Sequence, residues 1–432
     1  MAHDLRDAYG NTLGALSITP GEFFAFDSAK GAMLEPDSPD GLAFMQFTSG
    51  STGMPRSVEI SHRMATHMVS SMNELLGDRY KAPVGEWLEL YSAWLPMHHD
   101  MGLVGCLLLA ISNGLELSLM NPTTFLGRPL SYLKTLHGKR WISVGPNFGY
   151  QFCADRLSPE DLEGLDLSQQ SIAMTGSEMI RPETVKAFCE LTKGAGFIES
   201  RFLPGYGMAE ATLTATYDGK GLGVRTRPVP QTSEAISENK EVVCCGTAIT
   251  EFEIRIGNPE GETLQEDEVG EILVKGSGVF DRYYQNEEAT KASKHGEWLR
   301  TGDLGFIADG ELYVVGRLKE ILVVRGENIM PHELEWLVEE SREQRDGGEG
   351  AAAFSVSRDG GGEEVVLIVE TNESDEEKLA AFEDAIRSRI GRAMSLTVSD
   401  LKFARRGRLP RTTSGKIQRS KIKLEYIAGN LD

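Results

Sequence analysis

Three short apolar runs in the first half of the chain each end in a turn-forming residue, and helical spacing fills part of the space between them. "GLAFMQFTSG" (41–50) reads as a buried strand running into a turn. "WISVGPNF" (141–148) and "QSIAMTGS" (170–177) read as further buried strands ending in loops. "ISHRMATHMVSSMNELLG" (60–77) has the apolar spacing of a helix and ends on Gly77, a usual stop. Strands alternating with helices predict an α/β sheet. From about Val242 the texture changes to short strands, "CGTAITEFEIRIGNP" (245–259), "VGEILVKGSG" (269–278) and "GELYVVGR" (310–317), which predict a β-rich lobe over 242–316. After it comes a smaller α+β piece. There "GAAAFSVSRDGGGEEVVLIVE" (350–370) reads as a hairpin around a glycine turn, and "SDEEKLAAFEDAIRSRI" (374–390) as a helix with Ser374 and Glu377 in capping-box spacing. The expected organisation is a large α/β domain over 1–316 and a small α+β domain over 317–432.

Composition narrows the function classes. A net charge of −21 over 432 residues opposes general nucleic-acid binding, which needs a basic face. The longest apolar run, "MGLVGCLLLAI" (101–111), is too short to span a bilayer and reads as a buried helix. The five cysteines have no metal-type spacing, and the polar start "MAHDLRDAYG" is no secretory signal, so reduced thiols in a cytoplasmic protein are expected.

"FTSGSTGMPRS" (47–57) is open to two readings when taken alone. Runs of Ser, Thr and Gly usually mark linkers. Small residues after a strand also leave backbone N–H groups and hydroxyls free to wrap an anion, with Arg56 adding charge. It is not a Walker A loop, because no G-K-[ST] follows at the required distance.

Four later stretches change that balance. "LPGYGMAEAT" (203–212), "LRTGDLGF" (299–306), "GRLKEILVVRGENIMPHELE" (316–335) and "LPRTTSGKIQRSK" (409–421) follow in order. Together with the Ser/Thr/Gly run they resemble the core motifs of the adenylate-forming superfamily of acyl ligases and luciferases, over 41–423. "LPMHHDMGLVG" (95–105), "GPNFGYQFC" (145–153), "TGSEMIRPETVKAF" (175–188) and "YGMAEATL" (206–213) resemble the fatty acyl-AMP ligases within it. That resemblance implies activation of a fatty acid by ATP with Mg²⁺, then transfer of the acyl group to the phosphopantetheine arm of an acyl carrier protein.

The resemblance also implies roles. Thr48, Ser49, Gly50, Ser51, Thr52 and Gly53 would grip the leaving pyrophosphate with help from Arg56, where the family usually has lysine. Glu210 would hold Mg²⁺ and Thr212 would supply a hydroxyl. Asp303 would accept from the ribose hydroxyls, with Arg317 beside the nucleotide. Ser177, Glu178, Gly205, Tyr206 and Gly207 would line the adenine face, and His99 would lie near the acyl carboxylate. Lys416 would be the catalytic lysine, reaching between carboxylate and α-phosphate as a compact charge on a long stem. Lys319 would be the hinge about which the C-terminal domain turns.

Each residue has a plainer reading by itself. Asp303 in T-G-D-L-G serves equally as a turn cap, Glu210 as an acid at a helix start, and His98 and His99 as ordinary histidines. Phe148 and Tyr150 read first as core. Lys416 lies in a stretch, 401–424, with nine Lys or Arg and no acid, and such runs are usually solvated. The same patch would suit phosphates and an acidic carrier.

Two features depart from the family pattern. Only about 46 residues precede the Ser/Thr/Gly loop, so part of the first subdomain is expected to be absent, as in a natural truncation, a fragment, or one half of a split enzyme that a second chain completes. The stretch 216–241, where fatty acyl-AMP ligases carry an insertion that disfavours coenzyme A, looks shortened. Two alternatives therefore stand beside the carrier-protein ligase: an acyl-CoA ligase on the same scaffold, and a weakly active partner protein that binds nucleotide or acyl-adenylate.

Overall fold

A computed structural model describes residues 38–48, 56–80, 84–218, 222–230, 241–324, 327–342, 350–357, 363–412 and 415–431. The chain divides into two units, Met1–Gly41 and Leu42–Asp432, and every element named here belongs to the second.

Its first strands, β1 (Leu42–Thr48) and β2 (Arg56–Ser61), form an antiparallel ribbon in which Thr48 pairs with Arg56. The strand expected at 41–50 is present, but it is not buried. Gln46 is covered, whereas Phe47 is 55% exposed. Among the described residues the ribbon has two strands, so β1 lacks a further strand on its far side to cover it. Helix α1 (His62–Tyr80) comes next and does not stop at Gly77.

The central sheet is built from β3 (Leu90–Ala93), β4 (Glu116–Leu119), β5 (Trp141–Gly145), β6 (Gln170–Thr175), β7 (Phe202–Tyr206), β8 (Thr216–Tyr217) and, later in the chain, β11 (Thr247–Ala248). Its order is β11-β8-β7-β6-β5-β3-β4. The strands from β4 to β7 are mutually parallel, and β8 and β11 close one end antiparallel. Helix α2 (Asn147–Arg156) leaves β5, and α3 (Pro182–Thr192) leaves the loop after β6. Strands such as "WISVG" are buried at every position, Ser143 included, because a parallel sheet is covered on both faces. The run at 101–111 is helical as expected, but wide-turned in its middle. Asp100–Gly102 and Leu109–Asn113 are α-helical, Leu103–Leu108 is π-helical, and Ile111 is exposed.

Two short strands, β9 (Thr226–Pro228) and β10 (Glu241–Val243), pair with each other. The β-rich lobe is a five-stranded antiparallel sheet of β12 (Phe252–Gly257), β13 (Gly270–Gly276), β14 (Lys294–His295), β15 (Trp298–Ala308) and β16 (Glu311–Arg317). Of the stretch 216–241, residues 219–221 and 231–240 lie outside the described residues.

The C-terminal lobe begins with the ribbon β17 (Leu322–Val324) and β18 (Glu327–Ile329), then α4 (Pro331–Glu340). Strands β19 (Ala351–Ser357) and β20 (Glu363–Thr371) are antiparallel, as the glycine-centred pattern predicts. They are followed by α5 (Glu376–Met394), by β21 (Asp400–Arg405) parallel to β20, and by α6 (Arg419–Ile427). Alternation along β19 is clean. Ala351 and Ala353 pack with the cluster of Leu334 and Ile386, and Ala352 and Phe354 with that of Leu409 and Ile422. The cap of α5 differs from expectation. Asp375, not Ser374, accepts from the N–H groups of Glu377 and Lys378, because a carboxylate at that position reaches both donors.

Candidate active site

The loops that leave β3, β5, β6 and β7 emerge from one edge of the parallel sheet, their carboxyl ends, where open α/β sheets bind ligands. The stretches 95–105, 145–153, 175–188 and 206–213 are those four loops together with the first residues of the helices or turns they lead into. Sequence spacing alone could not say that they are neighbours.

The loop after β6 carries Ser177 and Glu178. Ser177 holds φ at 73°, a left-handed conformation that costs a non-glycine residue energy and that concentrates at functional sites. Glu178 accepts a 2.5 Å hydrogen bond from the Phe148 N–H at the start of α2. Burial pushes its carboxyl up from the ordinary value, against that N–H and the cations Lys416, Arg411 and Arg419, which favour the charged form.

The turn after β7 is tight. A Cβ on Gly207 would lie 1.9 Å from the Leu213 carbonyl oxygen, so only glycine fits where the chain doubles back towards β8. Tyr206 donates to Asp303 Oδ2 at 2.8 Å, and the Arg317 Nε donates to Asp303 Oδ1 at 3.0 Å. Asp303, on β15, pairs in register with Arg317 on β16 and is 7% exposed. One carboxylate thus joins the central sheet to the β-rich lobe.

Glu210 accepts from Tyr283 Oη at 2.7 Å, and the Arg56 guanidinium lies 5.3 Å from the centre of that tyrosine ring. Burial raises the Glu210 pKa; the tyrosine hydrogen bond opposes it. Arg56 sits in β2 directly across from Thr48, so both feet of the Ser/Thr/Gly loop are fixed by ribbon register. Ser49, Gly50, Ser51, Thr52 and Gly53 lie outside the described residues. Thr212 takes φ of 67° and donates its hydroxyl proton to the Gly278 carbonyl at 2.7 Å. The hydroxyl expected for the ligand is therefore committed as a donor to the β-rich lobe, and only its lone pairs remain.

His99 Nδ1 lies 2.6 Å from Asp100 Oδ1. The Met101 N–H lies between the two side chains, 2.7 Å from Asp100 Oδ1 and 3.2 Å from His99 Nδ1. Burial raises the Asp100 pKa, but the His99 hydrogen bond, Lys416 and the Met101 N–H outweigh it and hold the carboxyl below its ordinary value.

The tail loop closes the site. An isolated bridge pairs Arg411 with Ile417, Lys416 N–H donates to Thr412 Oγ1 at 3.1 Å, and Arg411 donates to the fully buried Glu370 at 2.8 Å and to the Gly415 carbonyl at 3.2 Å. Gly415 packs against Phe148, whose ring would be 3.5 Å from an added Cβ. Desolvation of the Lys416 ammonium pushes its pKa down. The charges that act on it are those of Glu178, Asp100 and Asp303, which raise it, and Arg317, which lowers it. The tail amine therefore shares one electrostatic environment with residues of three other segments. Lys319 lies in a short 3-10 turn, Leu318–Glu320.

The basic stretch is not simply a solvated face. Arg411 ties to Glu370, and Arg419 to Glu335 and Glu320. Sequence reasoning misses Asp100 and Arg181, although both lie inside motif stretches, and Tyr283, which no motif marks. All five cysteines are free thiols.

Among the described residues no group of three or more His, Cys, Asp or Glu is arranged to hold a metal ion. Glu210 is a single carboxylate with lone pairs to spare. That suits Mg²⁺ delivered on a nucleotide, which takes one or two protein oxygens and phosphate for the rest, and not a metal caged by protein alone.

Comparison with known proteins agrees with this geometry. The family model described as AMP-binding enzyme matches residues 12–284. A putative acyl-CoA synthetase of Caulobacter vibrioides is 33% identical over 413 residues, covering 92% of this chain and 70% of that protein. The medium-chain-fatty-acid–[acyl-carrier-protein] ligase JamA of Moorena producens is 33% identical over 426 residues, with the same coverages. A structure from a study of fatty acyl-adenylate ligases of E. coli and L. pneumophila superposes with a TM-score of 0.85 at 31% identity, covering 99% of this chain and 77% of that one. With more than half of its length matched by the family model and its strand-end loops gathered under a tail lysine, the chain belongs to the adenylate-forming, AMP-binding enzyme family.

Proposed function

We propose that the chain activates a fatty acid with ATP and passes the acyl group to the phosphopantetheine thiol of an acyl carrier protein. The observation that carries this reading is the tail loop packed at the carboxyl ends of the sheet, with Gly415 against Phe148 at the start of α2 and the charges of Glu178, Asp100, Asp303 and Arg317 acting on the Lys416 ammonium. A carboxylate oxygen attacks the α-phosphorus, the bond from that phosphorus to the bridging oxygen breaks, and pyrophosphate leaves with the electron pair. Both reactants are anions, so the barrier is largely repulsion and misorientation. Lys416 reduces that repulsion. Asp303, held by Tyr206 and Arg317, presents its remaining lone pairs to the ribose hydroxyls. Ser177 and Glu178 flank the base, and Thr48 and Arg56 anchor the loop expected to grip pyrophosphate. Glu210 would hold Mg²⁺, which when bound neutralises phosphate charge. In the second half-reaction the carrier thiol, having lost its proton to solvent, attacks the acyl carbonyl and AMP departs.

The fatty acid and the carrier rest on likeness to the acyl-adenylate ligases and to JamA. The Caulobacter relative carries a coenzyme A name, so the acceptor is the point to test. The free thiols suit a reducing compartment, and we assign the chain to the cytoplasm on that ground.

The experiment is pyrophosphate exchange with fatty acids of graded length, followed by acyl transfer to holo carrier protein or to coenzyme A. Exchange that requires the acid and falls at least roughly 100-fold in Lys416→Ala supports activation. Faster acyl transfer to coenzyme A than to the carrier would replace the carrier reading, and absence of exchange would leave a nucleotide-binding partner protein instead.

A further inference from the structure

Arg181 lies at the end of the loop that carries Glu178, as the residue before α3, and it is 6% exposed. Its backbone N–H donates to Asn147 Oδ1 at 3.0 Å, which fixes it to the start of α2. Its guanidinium does not stay within the α/β domain. One nitrogen lies 2.5 Å from Glu340 Oε1 at the end of α4, and the group sits 5.5 Å from the centre of the Trp336 ring, one turn earlier on that helix. The His332 ring meets the same tryptophan with ring centres 4.8 Å apart. Glu340 also receives Arg389 at 3.3 Å, and Arg181 Nε lies 3.4 Å from Glu183 on its own side. A charge-assisted bond and a cation–π contact therefore converge on one helix of the C-terminal lobe, where a buried guanidinium makes each stronger than at the surface.

Helix α4 is gripped a second time. Glu335 takes the fork of Arg419, three residues beyond Lys416, so α4 links Arg181 to the base of the tail loop. Glu178, on the other end of Arg181's own loop, holds the Phe148 N–H at the start of α2, against which Gly415 of the tail loop packs. The loop after β6 thus supplies both a carboxylate in the site and the anchor for the element that carries the lysine.

We propose that Arg181 is a positioning residue for adenylation. By holding Glu340 and Trp336 it seats the C-terminal lobe on the sheet edge so that Lys416 reaches the reacting groups. This rests on the role of Lys416 in the function proposed above. Glu183 keeps the guanidinium paired whether or not α4 is seated, so the contact can be broken without stranding a buried charge.

The test uses the full chain. In Arg181→Ala the kcat for acid-dependent pyrophosphate exchange falls roughly 10- to 100-fold, the scale of one charge-assisted contact, while KM for ATP and acid change less than about 2-fold. Glu340→Gln behaves alike, and Arg181→Lys, which keeps a charge beside Glu340 and Trp336, loses less. In a Lys416→Ala background the Arg181→Ala change adds less than about 2-fold, because both act through one amine. Hydrogen exchange of the ligand-free chain speeds up over 331–340 in Arg181→Ala and stays unchanged in β5 to β7. A wild-type kcat, full additivity with Lys416→Ala, or unaltered exchange over 331–340 overturns the proposal. Should Arg181→Ala fail to fold, Glu340→Gln and Arg181→Lys give the readings instead. Absence of acid-dependent exchange in the parent chain removes the proposed reaction, while the hydrogen-exchange comparison still decides whether Arg181 seats the lobe.

Discussion

Arg419 forks onto Glu335: its Nε and one terminal nitrogen each lie 2.6 Å from a different carboxylate oxygen, and the other terminal nitrogen reaches Glu320 at 2.7 Å. Glu320 belongs to the turn that joins β16 to the C-terminal lobe, Glu335 to α4, and Arg419 to α6 just after the tail loop. One planar cation thereby fixes the connection, the strut helix and the lysine loop together. Its own pKa is raised, because the two carboxylates outweigh the loss of water.

Removing that cation leaves the mostly buried Glu335 with, among the described residues, the Ala353 N–H alone and the partly exposed Glu320 without its counter-charge. Arg419→Ala is expected to cost about 3 kcal/mol of stability, and Arg419→Lys less, since an ammonium cannot serve both carboxylates with the same planar fork. Denaturant midpoints measure it; a loss below about 0.5 kcal/mol in the alanine variant, the level of an ordinary surface pair, would contradict the fork's role.

The Lys416 ammonium is the form that can offset phosphate charge, and its pKa in the free enzyme lies below the ordinary 10.5. Activity therefore falls as pH rises through that lowered value, and kcat/KM should show an alkaline limb below the range of a solvated lysine. Glu178 raises the Lys416 pKa, so Glu178→Gln moves the limb to still lower pH. A limb that stays put or moves upward would show that another group titrates.

Asp303 serves Tyr206 and Arg317 at once, and its neutral isostere keeps the shape but loses the charge that holds Arg317. Asp303→Asn should weaken ATP binding roughly 10-fold or more, and Tyr206→Phe by less, because charged partners contribute more than neutral ones. Calorimetric titration with ATP reads both, and equal affinities in Asp303→Asn and the parent would remove the aspartate from the nucleotide site.

Glu210 is the carboxylate assigned to Mg²⁺, and Tyr283 is its hydrogen-bond donor. Glu210→Gln should raise the Mg²⁺ concentration for half-maximal exchange several-fold, whereas Tyr283→Phe, which frees one carboxylate oxygen, should leave it lower than in Glu210→Gln. An unchanged Mg²⁺ requirement in Glu210→Gln would assign the metal elsewhere.

Much of the fold is visible in the sequence where a segment carries its own instructions. The hairpin β19–β20 follows from apolar runs flanking glycines, and the parallel core strands from short, mostly apolar runs such as "WISVG". What fails is what depends on partners. β1 reads as buried because it is apolar, yet it belongs to a two-stranded ribbon that cannot cover it. Gly77 reads as a stop, but α1 runs on to Tyr80, since a glycine inside a helix lowers its stability without ending it. The site obeys the same division. Motifs mark Asp303, Glu210 and Lys416 individually, while their shared environment comes from strand order. Tyr283, contributed by the β-rich lobe to Glu210, is fixed by packing across 73 positions of chain.

The seat of α4 on Arg181 bears on recombining such enzymes. A chimaera that takes everything after Arg317 from another relative inherits a foreign strut against the old anchor. Unless the donor also brings an acid at position 340 and an aromatic at 336, the grafted lysine arrives on a lobe that Arg181 cannot hold, so module exchange here turns on matching three side chains as well as on choosing a junction.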